Sequence, residues 1–282
     1  MANGAYQIAR LFGIPIRVHV TLLIVLPLMA VQLSRAAGSP SILWGLLAAT
    51  GLFASIALHE LGHSLVALRK GCRVREIMLL PIGGVAQLER MPTRPADEFQ
   101  VAIAGPLVSL ALALLGWAGG DLLAAMGSRP ASQVVSLLGG TNLMLVLFNL
   151  LPSFPMDGGR IFRAWLTPRL GRLLATNIAA RIGRLMAIVF GLIGLFSLNV
   201  FLVLIAVFIY QAAGAEYRMV RIQEASRQNW QAPWMKTEAH WPEEDIVVSP
   251  PPYRRGRTST IFVRPLRAQH DLFEDLFEKW LR

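Results

Sequence analysis

Two histidines and a glutamate, His59, Glu60 and His63, lie within one apolar stretch of the sequence as H-E-x-x-H. On a helix, residues four apart project from the same face, so both imidazoles can reach one metal ion. Catalytic zinc takes three protein ligands and leaves a position open for water, whose proton a glutamate beside the first ligand can accept. The pattern therefore predicts zinc-dependent hydrolysis of a peptide bond, with Glu60 as the catalytic base.

The apolar surroundings of these residues favour a functional interpretation over a chance match. Residues 42–58 are uncharged and lead directly into His59. A charged group at the centre of a membrane helix costs about 2.5–3.5 kcal/mol on insertion scales, so such groups are kept there for a function.

The third metal ligand must come from elsewhere, because no further histidine lies within an apolar run. Asp157 is the prominent carboxylate, since it closes a long uncharged stretch in the segment FNLLPSFPMDGGR. Two prolines would end the helix before it, and Gly158 and Gly159 would permit a sharp turn after it. On the residues alone, Asp157 is either the third ligand or a helix cap at the membrane interface.

The composition indicates a membrane protein. Of the 282 residues, 54% are hydrophobic and 16% are charged, and the mean hydropathy of +0.51 is too high for an ordinary soluble domain. The net charge of +10 is divided among short basic clusters between apolar runs, which argues against nucleic-acid binding. The single cysteine, Cys72, excludes an internal disulfide framework.

Apolar runs predict a mainly α, polytopic fold with about six transmembrane helices. They cover about residues 18–33, 42–68, 99–120 and 131–156, and a helical hairpin within 185–215 that turns at Ser197 and Asn199. Lys and Arg cluster before the first run and after the second, fourth and sixth. Because basic residues are retained on the cytoplasmic side, this pattern predicts that both termini are cytoplasmic.

Shorter segments between the runs predict a small β structure beside the membrane. Residues 8–19 alternate in polarity, which is typical of a short strand or interfacial segment. Residues 72–91 carry β-branched residues around Pro81, Gly83 and Gly84, which predicts a membrane-associated β-hairpin.

These patterns divide the chain into three parts. Residues 1–17 form an N-terminal cytoplasmic or interfacial segment, and residues 18–218 form the transmembrane catalytic domain. Residues 219–282 form a polar, Pro-rich cytoplasmic tail. Apolar residues at helical spacing near its end favour either a short amphipathic helix or a frayed terminus.

Three motifs, in this order, resemble the site-2 proteases, the intramembrane zinc metalloproteases of peptidase family M50. They are HELGH at residues 59–63, AGP at 104–106 and NLLPSFPMDGGR at 149–160, and the resemblance covers about residues 8–172. Many prokaryotic relatives carry CBS or PDZ domains. The region after Val220 is too short for two CBS domains and no PDZ-sized insertion is visible, so a compact prokaryotic type is expected.

The resemblance implies that His59, His63 and Asp157 bind one zinc ion per chain and that Glu60 is the catalytic base. It also implies a client protein that is transmembrane or membrane-anchored, cut in or near its membrane segment. The expected location is a prokaryotic cytoplasmic membrane.

Three further residues are candidate substrate contacts. The amide of Asn149 is placed to hold a substrate carbonyl or an oxyanion, although it could equally bridge helices, as could Asn142 seven residues earlier. Gly83 and Gly84 fall where the family has a hairpin thought to meet an extended substrate as an added strand, and the alternative is an ordinary turn.

Two other functions remain as alternatives. A catalytically silent homologue that binds client membrane proteins would have no need to keep all four of these catalytic and ligand residues. A metal transporter would need ligating groups on several spans, whereas the first, third, fifth and sixth runs contain no carboxylate within the membrane.

Overall fold

The computed structural model describes residues 4–36, 41–81, 83–89, 92 and 94–230, and over these residues the chain forms seven helices and four strands. The helices are α1 (Val20–Ala36), α2 (Ile42–Arg69), α3 (Pro95–Ala125), α4 (Arg129–Asn149), α5 (Asp157–Leu170), α6 (Arg172–Phe196) and α7 (Val200–Trp230). The polar tail beyond residue 230, with its candidate amphipathic helix, lies outside the described residues.

Most of the helices are suited to a bilayer. Within the described residues, five are long and apolar enough to cross a membrane, namely α2, α3, α4, α6 and α7. α1 is also apolar but is shorter, with 17 residues. The chain is therefore an integral membrane protein with a mainly α fold, as its composition predicts.

The predicted helical hairpin near the C-terminal end of the membrane region is present. α6 ends at Phe196 and α7 begins at Val200, and the Asn199 carboxamide oxygen accepts a hydrogen bond from the Leu202 amide at 3.1 Å. This contact caps the first turn of α7. The predicted domain boundaries at residues 17 and 218 fall inside a strand and α7, respectively, so regular structure continues across both positions.

The fourth predicted span is shorter than the apolar run suggested, and α5 is a separate helix. α4 ends at Asn149, because proline at position 152 cannot continue a helix, and α5 then starts at Asp157. Gly158 and Gly159 lie in the first turn of α5 instead of forming the predicted sharp turn. Asp157 thus opens a new helix that follows an irregular segment.

The four strands form one sheet in the order β1 (Ala5–Leu11), β2 (Ile14–His19), β3 (Val74–Leu80) and β4 (Gly83–Leu88). β3 and β4 are the predicted antiparallel hairpin. The alternating N-terminal segment is also a hairpin, and β2 pairs in parallel with β3 through Ile16 and Ile77. The α1–α2 hairpin supplies the long connection that a parallel pair of strands requires.

One face of the sheet packs on α2 and fixes its orientation. Alternate residues of β2 are buried, and with β3 they contact a stripe of α2 residues spaced four apart. The sheet residues are Ile14, Ile16, Val18, Ile77 and Leu79, and the α2 residues are Phe53, Ala57 and Leu61. The histidines lie on another face of α2 and contact α3.

Candidate metal centre

His59, His63 and Asp157 meet at one point, although 94 residues separate His63 from Asp157 in the sequence. The two Nε2 atoms lie 3.1 Å apart, and Asp157 Oδ2 lies 3.2 Å from His59 Nε2 and 3.1 Å from His63 Nε2. Both histidines are buried, and the Asp157 side chain is 13% exposed. Burial of two imidazoles and a carboxylate at contact distance indicates a cation site.

This triangle of atoms fits zinc. Tetrahedral zinc with bonds of about 2.0–2.1 Å places its ligand atoms about 3.3–3.4 Å apart, close to the separations found here. Two nitrogens and one carboxylate oxygen also form a donor set used by catalytic zinc sites, with a fourth position left open. The three side chains can therefore hold one zinc ion.

α3 orients both imidazoles. His63 Nδ1 lies 2.7 Å from the Val101 carbonyl oxygen, which can only accept, so Nδ1 carries the proton and Nε2 keeps its lone pair. His59 Nδ1 lies 2.8 Å from Ser109 Oγ, and the same tautomer follows if the hydroxyl accepts. Such partners fix the ring orientation and the ligating nitrogen in zinc sites.

Gly105 of the AGP segment allows α3 to approach both imidazoles. A Cβ atom at this position would lie 2.2 Å from His63 Nε2 and 2.7 Å from His59 Nε2. Both distances are well below van der Waals contact, so any side chain here would displace the ligating nitrogens. The close approach of α3 to α2 therefore occurs directly at the two Nε2 atoms.

Gly105→Ala is expected to weaken zinc binding by at least about tenfold, because the added methyl group occupies the space between the imidazoles. Competition with a chromophoric chelator measures the zinc affinity. Gly140→Ala in α4 is the matched control, since a Cβ there would meet no heavy atom within 4 Å. Equal zinc affinity in Gly105→Ala and wild-type protein would exclude this role of the glycine.

The candidate third ligand, Asp157, is set in place by close backbone packing. A Cβ at Gly158 would lie 2.3 Å from the Leu151 carbonyl oxygen, and one at Gly159 would lie 2.7 Å from the Phe154 nitrogen. The first turn of α5 can therefore press against the segment that precedes it. This arrangement brings Asp157, the first residue of α5, to the two histidines.

The carboxylate of Glu60 is held by the sheet. Its Oε2 accepts a hydrogen bond from the Ala86 amide of β4 at 3.2 Å. Gly84 makes this approach possible, since a Cβ there would lie 2.7 Å from Glu60 Cγ. The general base candidate and its neighbour His59 therefore lie between β4 and α3.

The three candidate substrate contacts line one cavity with His59. Its volume is about 270 Å³, and Gly83, Gly84 and Asn149 all face it. The other lining residues are apolar: Met29, Leu52, Phe53, Ile56, Pro81 and Leu145. A space of this size beside a candidate metal ligand can hold an apolar side chain.

The two asparagines of α4 differ in their contacts. Asn142 is buried, and its Nδ2 donates to Ser55 Oγ of α2 at 3.0 Å and to the Leu138 carbonyl at 2.8 Å. It is thus the residue that links two helices. Asn149 is half-buried and lines the cavity.

Several residues that position the site were not identified from the sequence. Val101 and Ala86 act through backbone groups, which carry no side-chain signal. Ser109 lies one turn after Gly105 on α3, and this spacing from the AGP motif was the available signal.

Comparison with known proteins identifies the family. The family model described as peptidase family M50 matches residues 47–127 and 121–192. A zinc metalloprotease of Methanocaldococcus jannaschii is 40% identical over 222 residues, covering 78% of this chain and 63% of the relative. A relative in Synechocystis is 37% identical over 244 residues, covering 79% of this chain and 62% of that protein.

The solved structure of the site-2 protease from Methanocaldococcus jannaschii has a similar fold. The TM-score is 0.54 at 38% identity, and the match covers 76% of this chain and 95% of that chain. The present chain spans just under two thirds of the length of the curated relatives that it matches over most of its own length. The motifs, the fold and these matches agree, and the chain belongs to peptidase family M50, in the site-2 protease group.

Proposed function

We propose that the chain is a zinc endopeptidase that hydrolyses peptide bonds within the bilayer, in or near the transmembrane segments of client membrane proteins. The depth of the site carries this proposal. Glu60 lies nine residues, or about 14 Å, before the end of α2, a helix about 42 Å long. Because the apolar core of a bilayer is about 30 Å thick, chemistry at this depth takes place inside the membrane.

The proposed roles follow from the contacts of each side chain. His59, His63 and Asp157 would hold the zinc ion, which supplies Lewis acidity when bound. The Glu60 carboxylate accepts the proton of the attacking water and delivers it to the leaving amine. The water oxygen first joins the carbonyl carbon, and the C–N bond then breaks as the leaving nitrogen takes up the proton, which yields one carboxylate and one amine.

The cavity and β4 together favour binding of the substrate in an extended conformation. β4 is an edge strand, and the Ala86 amide on its outer side points to the Glu60 carboxylate. A client segment that pairs with this edge at Gly83 and Gly84 would pass beside the proposed base. Asn149 of α4, which lines the same cavity, would donate its amide to the substrate carbonyl as negative charge develops there.

The client class and the location follow from the surroundings of the site. A helix must unwind before its peptide bonds become accessible, so we infer a transmembrane or membrane-anchored protein as the client. Basic clusters support cytoplasmic termini. Relatives in Methanocaldococcus and Synechocystis, both prokaryotes, support a prokaryotic cytoplasmic membrane.

Mapping of the cut position tests the intramembrane assignment. The full chain is reconstituted in lipid vesicles with a model protein that has one transmembrane segment and polar flanks, and the products are identified by mass spectrometry. We expect new termini inside the apolar segment, and none of them when the segment is replaced by a soluble linker. Cleavage confined to the polar flanks in both substrates would contradict hydrolysis within the bilayer.

A further inference from the structure

A buried arginine connects three helices close to the proposed metal site. Arg163 of α5 is 1% exposed, and its Nε donates to Glu98 Oε1 of α3 at 2.8 Å, with a second contact from Nη2 to the same oxygen. Its Nη1 donates to Glu216 Oε1 of α7 at 2.8 Å. We call Arg163, Glu98 and Glu216 the arginine bridge.

The arginine bridge has no part in the hydrolysis proposed above, yet its burial is costly. An isolated buried charge is strongly unfavourable, and a buried ion pair is often no more stabilising than apolar residues of similar volume. In some proteins, buried ionic groups are retained because they select one packing arrangement over others. The contacts of the arginine bridge indicate which arrangement of helices it selects.

Its contacts lie on the elements that carry the third ligand and the histidine partners. Asp157 is the first residue of α5, and the Arg163 guanidinium lies over the ring of Phe154, 4.9 Å from its centroid, in the segment that leads to Asp157. On α3, Glu98 lies one turn before Val101, whose carbonyl oxygen contacts His63. The pair thus joins the helix of the carboxylate ligand to the helix that orients both imidazoles.

We propose that Arg163, through Glu98, is a positioning residue that sets Asp157 at its distance from His59 and His63. This proposal rests on the proposed metal site. It assigns no catalytic role to Arg163, which contacts neither the ligand atoms nor the cavity. Loss of the Arg163–Glu98 ion pair would let α5 shift against α3. The distances from Asp157 Oδ2 to the two Nε2 atoms would then increase, so zinc would bind less tightly.

The two carboxylates of the arginine bridge supply a matched pair of variants. Glu98→Gln and Glu216→Gln are the same chemical change, and each leaves Arg163 with one carboxylate. The two variants differ in the helix to which α5 remains tied, and Glu98 is also the more buried carboxylate, with a side chain 6% exposed against 24% for Glu216. α7 provides none of the contacts to His59, His63 or Asp157 described above. A general effect on folding lowers the thermal midpoint of the metal-free protein in proportion to the loss of zinc affinity. A positioning effect appears as a loss of zinc affinity in Glu98→Gln that exceeds any change in its thermal midpoint.

The experiment uses the detergent-purified full chain, stripped of metal. Zinc affinity is measured by chelator competition, the visible absorption of bound Co²⁺ reports tetrahedral coordination, and the thermal midpoint of the metal-free protein reports stability. We expect Glu98→Gln to weaken zinc binding about tenfold, the lower end of the range for groups that hydrogen-bond metal ligands directly, because Glu98 acts on the candidate ligands only through α3 and α5. The tetrahedral Co²⁺ bands should weaken as well. Glu216→Gln is expected to keep wild-type zinc affinity.

The double variant Glu98→Gln with Arg163→Met covers the case in which Glu98→Gln does not fold, because it removes the two most buried charges of the arginine bridge together and leaves only the partly exposed Glu216 without its partner. We expect it to fold and to bind zinc as weakly as Glu98→Gln. Wild-type zinc affinity in this variant, or equal losses in Glu98→Gln and Glu216→Gln, would overturn the proposal. Absence of zinc binding by the wild-type chain would instead contradict the proposed metal site itself.

Discussion

Glu60→Gln is expected to lower the rate of peptide hydrolysis by about 10²–10⁴-fold while zinc affinity stays at the wild-type level. The glutamine amide has nearly the same shape and can still accept the Ala86 hydrogen bond, but it cannot take up a proton from water. The rate is measured as turnover of a transmembrane substrate in detergent, with zinc content determined on the same preparation.

Glu89→Gln is the matched control for this prediction. Glu89 is exposed and directly follows β4, the strand whose Ala86 amide contacts Glu60. The same chemical change at Glu89 should therefore leave turnover unchanged. Retained proteolysis in Glu60→Gln would remove this residue from the role of base. Loss of both zinc and activity in Glu60→Gln would instead show that Glu60 contributes to zinc binding.

Asp157→Ala is expected to weaken zinc binding by more than about 100-fold, beyond the range typical of changes outside the ligand set. Only the carboxylate supplies negative charge in the triangle, and its Oδ2 lies within 3.2 Å of both imidazole nitrogens. Without it, two neutral imidazoles remain, and a catalytic zinc site normally requires a third protein ligand. Chelator competition and metal analysis measure the loss.

Asp121→Ala provides the comparison for Asp157→Ala. Asp121 is exposed on α3, so this variant removes the same charge away from the candidate ligands and should keep zinc affinity. Unchanged zinc content in Asp157→Ala would remove Asp157 from the ligand set. His59 and His63 would then require a third partner from another part of the chain.

The membrane helices could be predicted because their signal is local. Apolar runs of the length of a bilayer mark α2, α3 and α4, and the turn at Ser197 and Asn199 marks the α6–α7 hairpin. The pairing of β2 with β3 could not be predicted in the same way. It joins segments on either side of the α1–α2 hairpin, and only tertiary packing brings them together.

The residues of the candidate site also divide into those with a local sequence signal and those that only tertiary packing places. His59, Glu60 and His63 follow from helical spacing, whereas Asp157 lies 94 residues beyond His63, and the residues alone allow it to be either a third ligand or a helix cap. The family resemblance is what implies the ligand role. α5 has no apolar run that would mark it in the sequence, because it is short and basic, and its buried arginine is paired with residues far away in the chain. Arg163 illustrates this point, because it belongs to the basic cluster that follows the fourth apolar run, and the structure buries it between Glu98 and Glu216.

The most direct test is to measure zinc stoichiometry and cleavage of a transmembrane substrate on one detergent-purified preparation, before and after metal removal. We expect one zinc ion per chain, loss of cleavage when a chelator removes it, and recovery when one equivalent of zinc is returned. Full cleavage by the zinc-free protein, or bound zinc with no cleavage of any of several transmembrane substrates, would contradict a zinc-dependent intramembrane protease.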